Sequence, residues 1–211
     1  GALASKRLEE LGERGLVIVA TSGDTGSAAI QAVKDSDNID IVVLHPANKI
    51  SAYQRKQMTT VIQPNVLNIA VEGSYDDCQR IAKELLATNP FQRRIISLNS
   101  INWLRVMGQI SYYVWLTKQF SSPINVAIPS GNFGNLSAGL MAYKMGLPIH
   151  AFIASCNENH PVADYLRTGE YNPIASVETI SNAMDVGSPS NFIRMRLLAG
   201  KEWSQVRGIV K

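Results

Sequence analysis

Short β-branched runs alternate with longer helical patterns along most of this chain, and that alternation restricts it to an α/β architecture built on parallel sheet. Strands are predicted at Leu16–Ala20, Ile39–Leu44, Val66–Val71, Ile95–Leu98, Ile124–Ile128 and Ile149–Ala154. Helical patterns follow them at Gly26–Lys34, Ser51–Val61, Ser74–Ala87, Ile101–Phe120, Asn135–Met145 and Pro161–Arg167. Only 18% of the 211 residues are charged, below the usual quarter or so. That deficit suits a sheet covered on both faces, whose strands read as continuous apolar runs. Beyond Gly169 the pattern weakens. Asn172-Pro173, Gly187 and Ser188-Pro189 are turn signals and predict an irregular stretch. Gly1–Leu11 is helical, with Leu3, Leu8 and Leu11 on roughly one side. It starts without an N-cap or an initiator methionine, so the expectation is a chain cut inside a helix.

Charge and cysteine content exclude several classes. Lys and Arg number 20 against 17 acidic residues, a net +3 spread along the sequence. No basic block marks a nucleic-acid or anionic-membrane surface. No apolar run reaches membrane-spanning length, and no secretory signal opens the chain. Cys78 and Cys156 are far apart and read as small apolar residues in a reducing compartment, which gives a cytoplasmic expectation. His45, His150 and His160 lack metal-ligand spacing and are expected in loops or on the surface.

Two glycine loops each follow a strand and open a helix, where α/β proteins place ligands. In Pro129-Ser130-Gly131-Asn132-Phe133-Gly134-Asn135, the glycines let backbone N–H groups converge at the positive end of a helix dipole. That arrangement suits a phosphate dianion; the same residues also make a tight turn with Asn135 as N-cap. Neither G-x-G-x-x-G nor a P-loop lysine is present, which weakens dinucleotide and ATP readings. In Thr21-Ser22-Gly23-Asp24-Thr25-Gly26-Ser27, hydroxyls and N–H groups meet at a helix start and suit a small anion such as a carboxylate, or Asp24 or Thr25 acts as a cap.

Taken in order, these loops and three further stretches resemble the threonine synthase branch of the fold-type II pyridoxal-phosphate (PLP) enzymes. The stretches are His45-Pro46-Ala47-Asn48-Lys49-Ile50-Ser51, Asn99-Ser100-Ile101-Asn102-Trp103-Leu104-Arg105 and Ser181-Asn182-Ala183-Met184-Asp185-Val186. The resemblance covers roughly residues 1–195 and implies a tryptophan synthase β-like fold with two α/β domains, incomplete at both ends. A small mobile domain is expected over residues 1–110 with the substrate-carboxylate loop, and part of the larger PLP-binding domain over 111–211. The implied reaction is that of a lyase in threonine biosynthesis: O-phospho-L-homoserine and water give L-threonine and phosphate. Gly131, Asn132, Phe133, Gly134 and Asn135 are the implied cofactor-phosphate residues. Ser22, Gly23, Asp24, Thr25 and Gly26 are implied for the substrate carboxylate, and Lys49, Asn102 and Arg105 for the substrate phosphate. From the residues alone, Lys49 and Arg105 read as solvated surface charges, and Ser51 with Gln54 as a capping box.

One departure stands out. The family's Schiff-base lysine lies in a Phe-Lys-Asp motif that does not occur in this sequence. Lys6, Lys34, Lys49, Lys56 and Lys83 do not match it, so no catalytic residue is assigned. The chain on its own is expected to bind PLP weakly and without a covalent adduct. Two other readings remain: a threonine synthase-like phospho-lyase, releasing a keto acid and ammonia, and a non-catalytic binding domain.

Overall fold

A computed structural model describes residues 1–21 and 23–211. The chain separates into two compact units, Gly1–Asn99 and Ser100–Lys211. The division precedes residue 110 because helix α5 (Trp103–Thr117) packs on α6 (Gly134–Lys144) and belongs to the second unit.

The first unit holds a four-stranded parallel sheet in the order β3-β2-β1-β4. Its strands are β1 (Gly15–Ala20), β2 (Ile39–Pro46), β3 (Val66–Val71) and β4 (Arg94–Ser97). Burial follows position in the sheet. Every residue of central β1 is buried, whereas edge strand β3 has none fully buried. Helices α1 (Ala2–Glu10), α2 (Asp24–Val33), α3 (Ala52–Thr59) and α4 (Tyr75–Thr88) complete the unit. Leu8, Val17, Val19, Ile30, Ile41, Val43 and Met58 make its core. Strand β2 runs past the expected Leu44 to Pro46 because its pairing with β3 continues to Val71. His45 is consequently buried rather than in a loop, with Nδ1 3.3 Å from the Pro46 carbonyl. Asn99 closes the end of β1: its Oδ1 accepts from Ala20 N–H at 2.9 Å and its Nδ2 donates to Ala20 O at 2.6 Å. Both bonds are buried and fix the point where the chain leaves the sheet for the Thr21 loop.

The second unit is organised around α6, which joins the parallel strands β5 (Ile124–Pro129) and β6 (Ile149–Ser155). Seven consecutive residues of α6, Leu136–Ala142, are buried, so this helix has no solvent face over two turns. Gly139 is needed there: a Cβ would lie 2.6 Å from Phe152 Cε1 and 2.8 Å from Tyr113 Cζ. Helix α7 (Pro161–Thr168) follows β6. Residues 170–188 are irregular apart from a 3₁₀ turn at Asn182–Met184, in keeping with the turn signals. Two helices then appear that the sequence pattern does not predict, α8 (Phe192–Ala199) and α9 (Trp203–Ile209). Val210 after α9 bridges to Phe152 beside β6.

Candidate functional site

The loop from β5 to α6 has the geometry of an anion cradle. Ser130 anchors its start: its N–H donates to Ser155 O at 2.8 Å and its hydroxyl to Ile128 O at 2.8 Å. Phe133 then adopts a left-handed backbone, φ 59° and ψ 19°, with its ring 3% exposed. A bulky residue rarely takes that conformation, and burial of the ring holds it there. Phe133, not Asn135, is the N-cap residue, and no side chain caps the first turn of α6. The first-turn N–H groups of a helix have no partner within it, and here they carry the positive end of the dipole of an eleven-residue helix. Gly131 and Gly134 are places of close approach. A Cβ on Gly131 would come within 3.0 Å of Met184 Cα, and one on Gly134 within 2.9 Å of Ser100 Cβ.

The asparagine side chains of this loop are turned to structure. Asn135 Oδ1 accepts from Tyr113 OH at 2.5 Å, and its Nδ2 donates to Gln109 Oε1 at 2.9 Å, tying α6 to α5. Burial raises the Tyr113 hydroxyl well above its ordinary pKa, so it stays a donor. Asn132 Oδ1 accepts from the N–H and hydroxyl of Ser190, at 2.9 and 3.0 Å. What these two positions offer an anion is therefore chiefly backbone. Just past the C-terminal end of β6, Asn157, Glu158, Glu178, Thr179, Ile180 and Ser181 line a cavity of about 900 Å³. Asp185 fastens that wall by accepting from Thr179 N–H at 2.9 Å, Asn157 Nδ2 at 2.8 Å and Asn159 Nδ2 at 3.1 Å.

The start of α5 brings the other residues of this unit together. Asn102 is its N-cap, with Oδ1 accepting from Leu104 N–H at 3.0 Å. Arg105 is one turn on and exposed, so the pair shares a face of the helix.

In the first unit the corresponding loop is held by a residue the sequence reading passed over. Thr21, 1% exposed, accepts at Oγ1 from the N–H groups of Gly23 at 2.9 Å and Gly26 at 3.1 Å. Its hydroxyl donates to Gly23 O at 3.0 Å. Those two N–H groups are thus engaged inside the loop. Gly23 is the N-cap residue at φ 152°, and α2 begins at Asp24, so neither Asp24 nor Thr25 is the cap. Asp24 is exposed and accepts from Gln54 Nε2 at 2.8 Å. Gln54 also completes the expected capping box with Ser51 on α3. Gly26 is glycine because a Cβ would meet Met58 Sδ at 2.3 Å. Lys49 is exposed in the turn after β2, and Ser22 lies outside the described residues. Among the described residues, no three metal-ligating side chains gather, and no helix is long and apolar enough to cross a membrane. Burial raises the thiols of Cys78, to about 12, and of Cys156, which makes both weak nucleophiles.

A family model described as pyridoxal-phosphate dependent enzyme matches residues 2–204. Threonine synthase of Pseudomonas aeruginosa is 40% identical over 200 residues, a match that takes in 92% of this chain and 43% of that protein. The solved structure of threonine synthase from Escherichia coli superposes with a TM-score of 0.89 at 35% identity, over 98% of this chain and 50% of that one. PLP-bound threonine synthase from Brucella melitensis gives 0.79 at 37% identity, over 98% and 46%. The chain spans about half the length of the relatives it matches.

Proposed function

The chain belongs to the family of pyridoxal-phosphate dependent enzymes, with the fold-type II α/β architecture, and from that premise we propose that it supplies cofactor- and substrate-binding elements of a threonine synthase. The reaction would convert O-phospho-L-homoserine and water to L-threonine and phosphate. The observation that carries this reading is the loop between β5 and α6, with its buried left-handed Phe133 and a helix start that no side chain caps.

The residues present fit a cofactor phosphate. The donors are backbone N–H groups at a helix N-terminus, two glycines let the loop pack against Met184 and Ser100, and residues 129–135 carry no acidic side chain to repel a dianion. When bound, PLP supplies an electron sink for electrons released as substrate bonds break. The protein's part is to hold and orient. Gly131–Asn135 take the cofactor phosphate through the backbone. Asn102 and Arg105, on one face of α5, are proposed to take the substrate phosphate, and Lys49 adds positive charge. In the first unit the substrate carboxylate is proposed for the loop of residues 22–26 at the start of α2, with the Ser22 and Thr25 hydroxyls as donors; Asp24, an acceptor engaged by Gln54, only frames it. Gly23 and Gly26 shape that loop while Thr21 occupies their N–H groups. No residue here is assigned to hold the cofactor covalently, since the family's Phe-Lys-Asp motif is absent from the sequence.

The test is product analysis. The full-length protein, loaded with PLP and given O-phospho-L-homoserine, should yield threonine and phosphate in equal amounts by proton and phosphorus NMR. A keto acid with ammonia would replace this reading with a phospho-lyase. No product at all would leave a binding domain. Arg105→Ala should weaken substrate use by about one to two decades, the worth of a charge-assisted pair to phosphate, while sparing PLP affinity.

A further inference from the structure

Asn135 ties the body of α5 to α6, but the entry to α5 and the loop before α6 are also joined by residues that belong to neither. Those residues are on α8 and just before it. Asn191, 1% exposed, donates from Nδ2 to Ser100 Oγ at 2.8 Å and to Asn132 O at 2.9 Å. One amide thus ties the α5 entry to the anion loop. Arg194 works on the α5 side. It donates to Ser100 O at 2.8 Å and Ile101 O at 3.2 Å, it donates to Asn191 Oδ1, and its guanidinium lies 4.8 Å from the Trp103 ring centroid. Ser190, next in sequence, holds Asn132 Oδ1 through its N–H and hydroxyl. The interval these residues set is already at its minimum, because a single Cβ at Gly134 would meet Ser100 Cβ at 2.9 Å.

A surface arginine would ordinarily stay in water. Arg194 is partly desolvated, which lowers its pKa from the usual arginine value, and it gives its planar fork to carbonyls of a loop. Lysine does not reproduce that fork. Among the described residues no carboxylate pairs with it: Arg194 donates to two carbonyls and one amide oxygen.

We infer that Asn191 and Arg194 are positioning residues that set the distance between the two phosphate-binding elements of this unit, and so the length of phosphorylated substrate the site accepts beside its cofactor. The inference rests on the reading of Asn102 and Arg105 as the substrate-phosphate residues. Asn191 touches both elements and Arg194 only the α5 entry, so their losses differ in kind. Removing Arg194 frees the helix start that carries Asn102 and Arg105. Removing Asn191 frees that helix start and the carbonyl of Asn132 in the anion loop as well.

The experiment needs no turnover. In the full-length protein, PLP affinity is measured on the apo form by fluorescence, and inorganic phosphate affinity on the PLP-loaded form by calorimetry. Melting temperatures are recorded alongside. Arg194→Ala should raise the phosphate Kd by about tenfold while PLP affinity stays within about threefold. Asn191→Ala should raise both by about tenfold. Arg194→Lys, which keeps charge and stem, guards against a folding failure and should still raise the phosphate Kd by about threefold. Arg105→Ala is the control. If it weakens phosphate binding and the Arg194 variants do not, the inference fails alone. If Arg105→Ala changes nothing, the underlying assignment of α5 fails, and the inference with it. If Arg194→Ala weakens both ligands equally in step with a lower melting temperature, Arg194 is a general stabiliser and the inference is overturned.

Discussion

The two glycine loops begin alike and end differently. Each leaves the C-terminal end of a parallel strand, turns on a glycine and carries a second glycine in the first turn of the helix that follows. In the loop after β1, a buried threonine hydroxyl takes the N–H groups of both glycines, and an exposed carboxylate, Asp24, stands at the helix start. In the loop after β5, Ser130 donates its hydroxyl backward to Ile128 O, no side chain caps the helix, and no acid is present. A strand, a glycine turn and a helix are therefore insufficient evidence for a backbone phosphate cradle. What decides is how the N–H groups are already satisfied, which depends on one hydroxyl pointing forward or backward.

The largest effect is expected where the second loop is tightest. Gly134→Ala in the full-length protein forces a Cβ to 2.9 Å from Ser100 Cβ, and neither atom has a rotamer with which to escape. Overpacking of this order costs about 1–3 kcal/mol, so the PLP Kd should rise by one to two decades, measured by fluorescence titration. An unchanged Kd would mean that the anion loop is not held against Ser100. Thr21→Val is the matching change in the first loop. It keeps the shape but strands the N–H of Gly23 and leaves that of Gly26 only its 3.3 Å bond to Gly23 O, beside a residue 1% exposed. A loss of about 1–2 kcal/mol in urea unfolding is expected, with PLP affinity unaltered. A fall in PLP affinity without loss of stability would erase the distinction between the loops. The smallest change is Gln54→Ala, which removes an exposed bond to Asp24 and half of a capping box. It should cost about 0.5–1 kcal/mol, read as a small shift in melting temperature.

Much of the fold is legible in the sequence because β1, β2 and β5 carry near-continuous β-branched runs and each is followed by a helical pattern. The capping box of Ser51 and Gln54 is local and is read correctly for that reason. Helix α8 escapes notice because it buries only Phe192 and Met195 while Ile193 and Leu197 are exposed, which blurs its apolar stripe. Helix α9 is short and follows a glycine and lysine at positive φ. In the site, the glycine motifs can be seen in the sequence and their satisfaction cannot. Thr21 acts on neighbours in a way a sequence could suggest, since a hydroxyl two residues before a glycine forms such turns. Asn191 and Arg194 act on residues more than ninety positions away, and nothing local in Pro-Ser-Asn-Phe-Ile-Arg announces it. The burial of His45 is nonlocal for the same reason: β2 extends to Pro46 through its pairing with Val71.

The N–H groups of Gly131, Phe133, Gly134 and Asn135 are the proposed phosphate donors, while those of Gly23 and Gly26 are already held by Thr21. Backbone amide shifts of the ¹⁵N-labelled full-length apo protein, followed as inorganic phosphate is added, test this directly. Saturable shifts are expected at Gly131, Phe133, Gly134 and Asn135, with Gly23 and Gly26 unmoved. Shifts at Gly23 and Gly26, with the loop after β5 silent, would contradict that assignment.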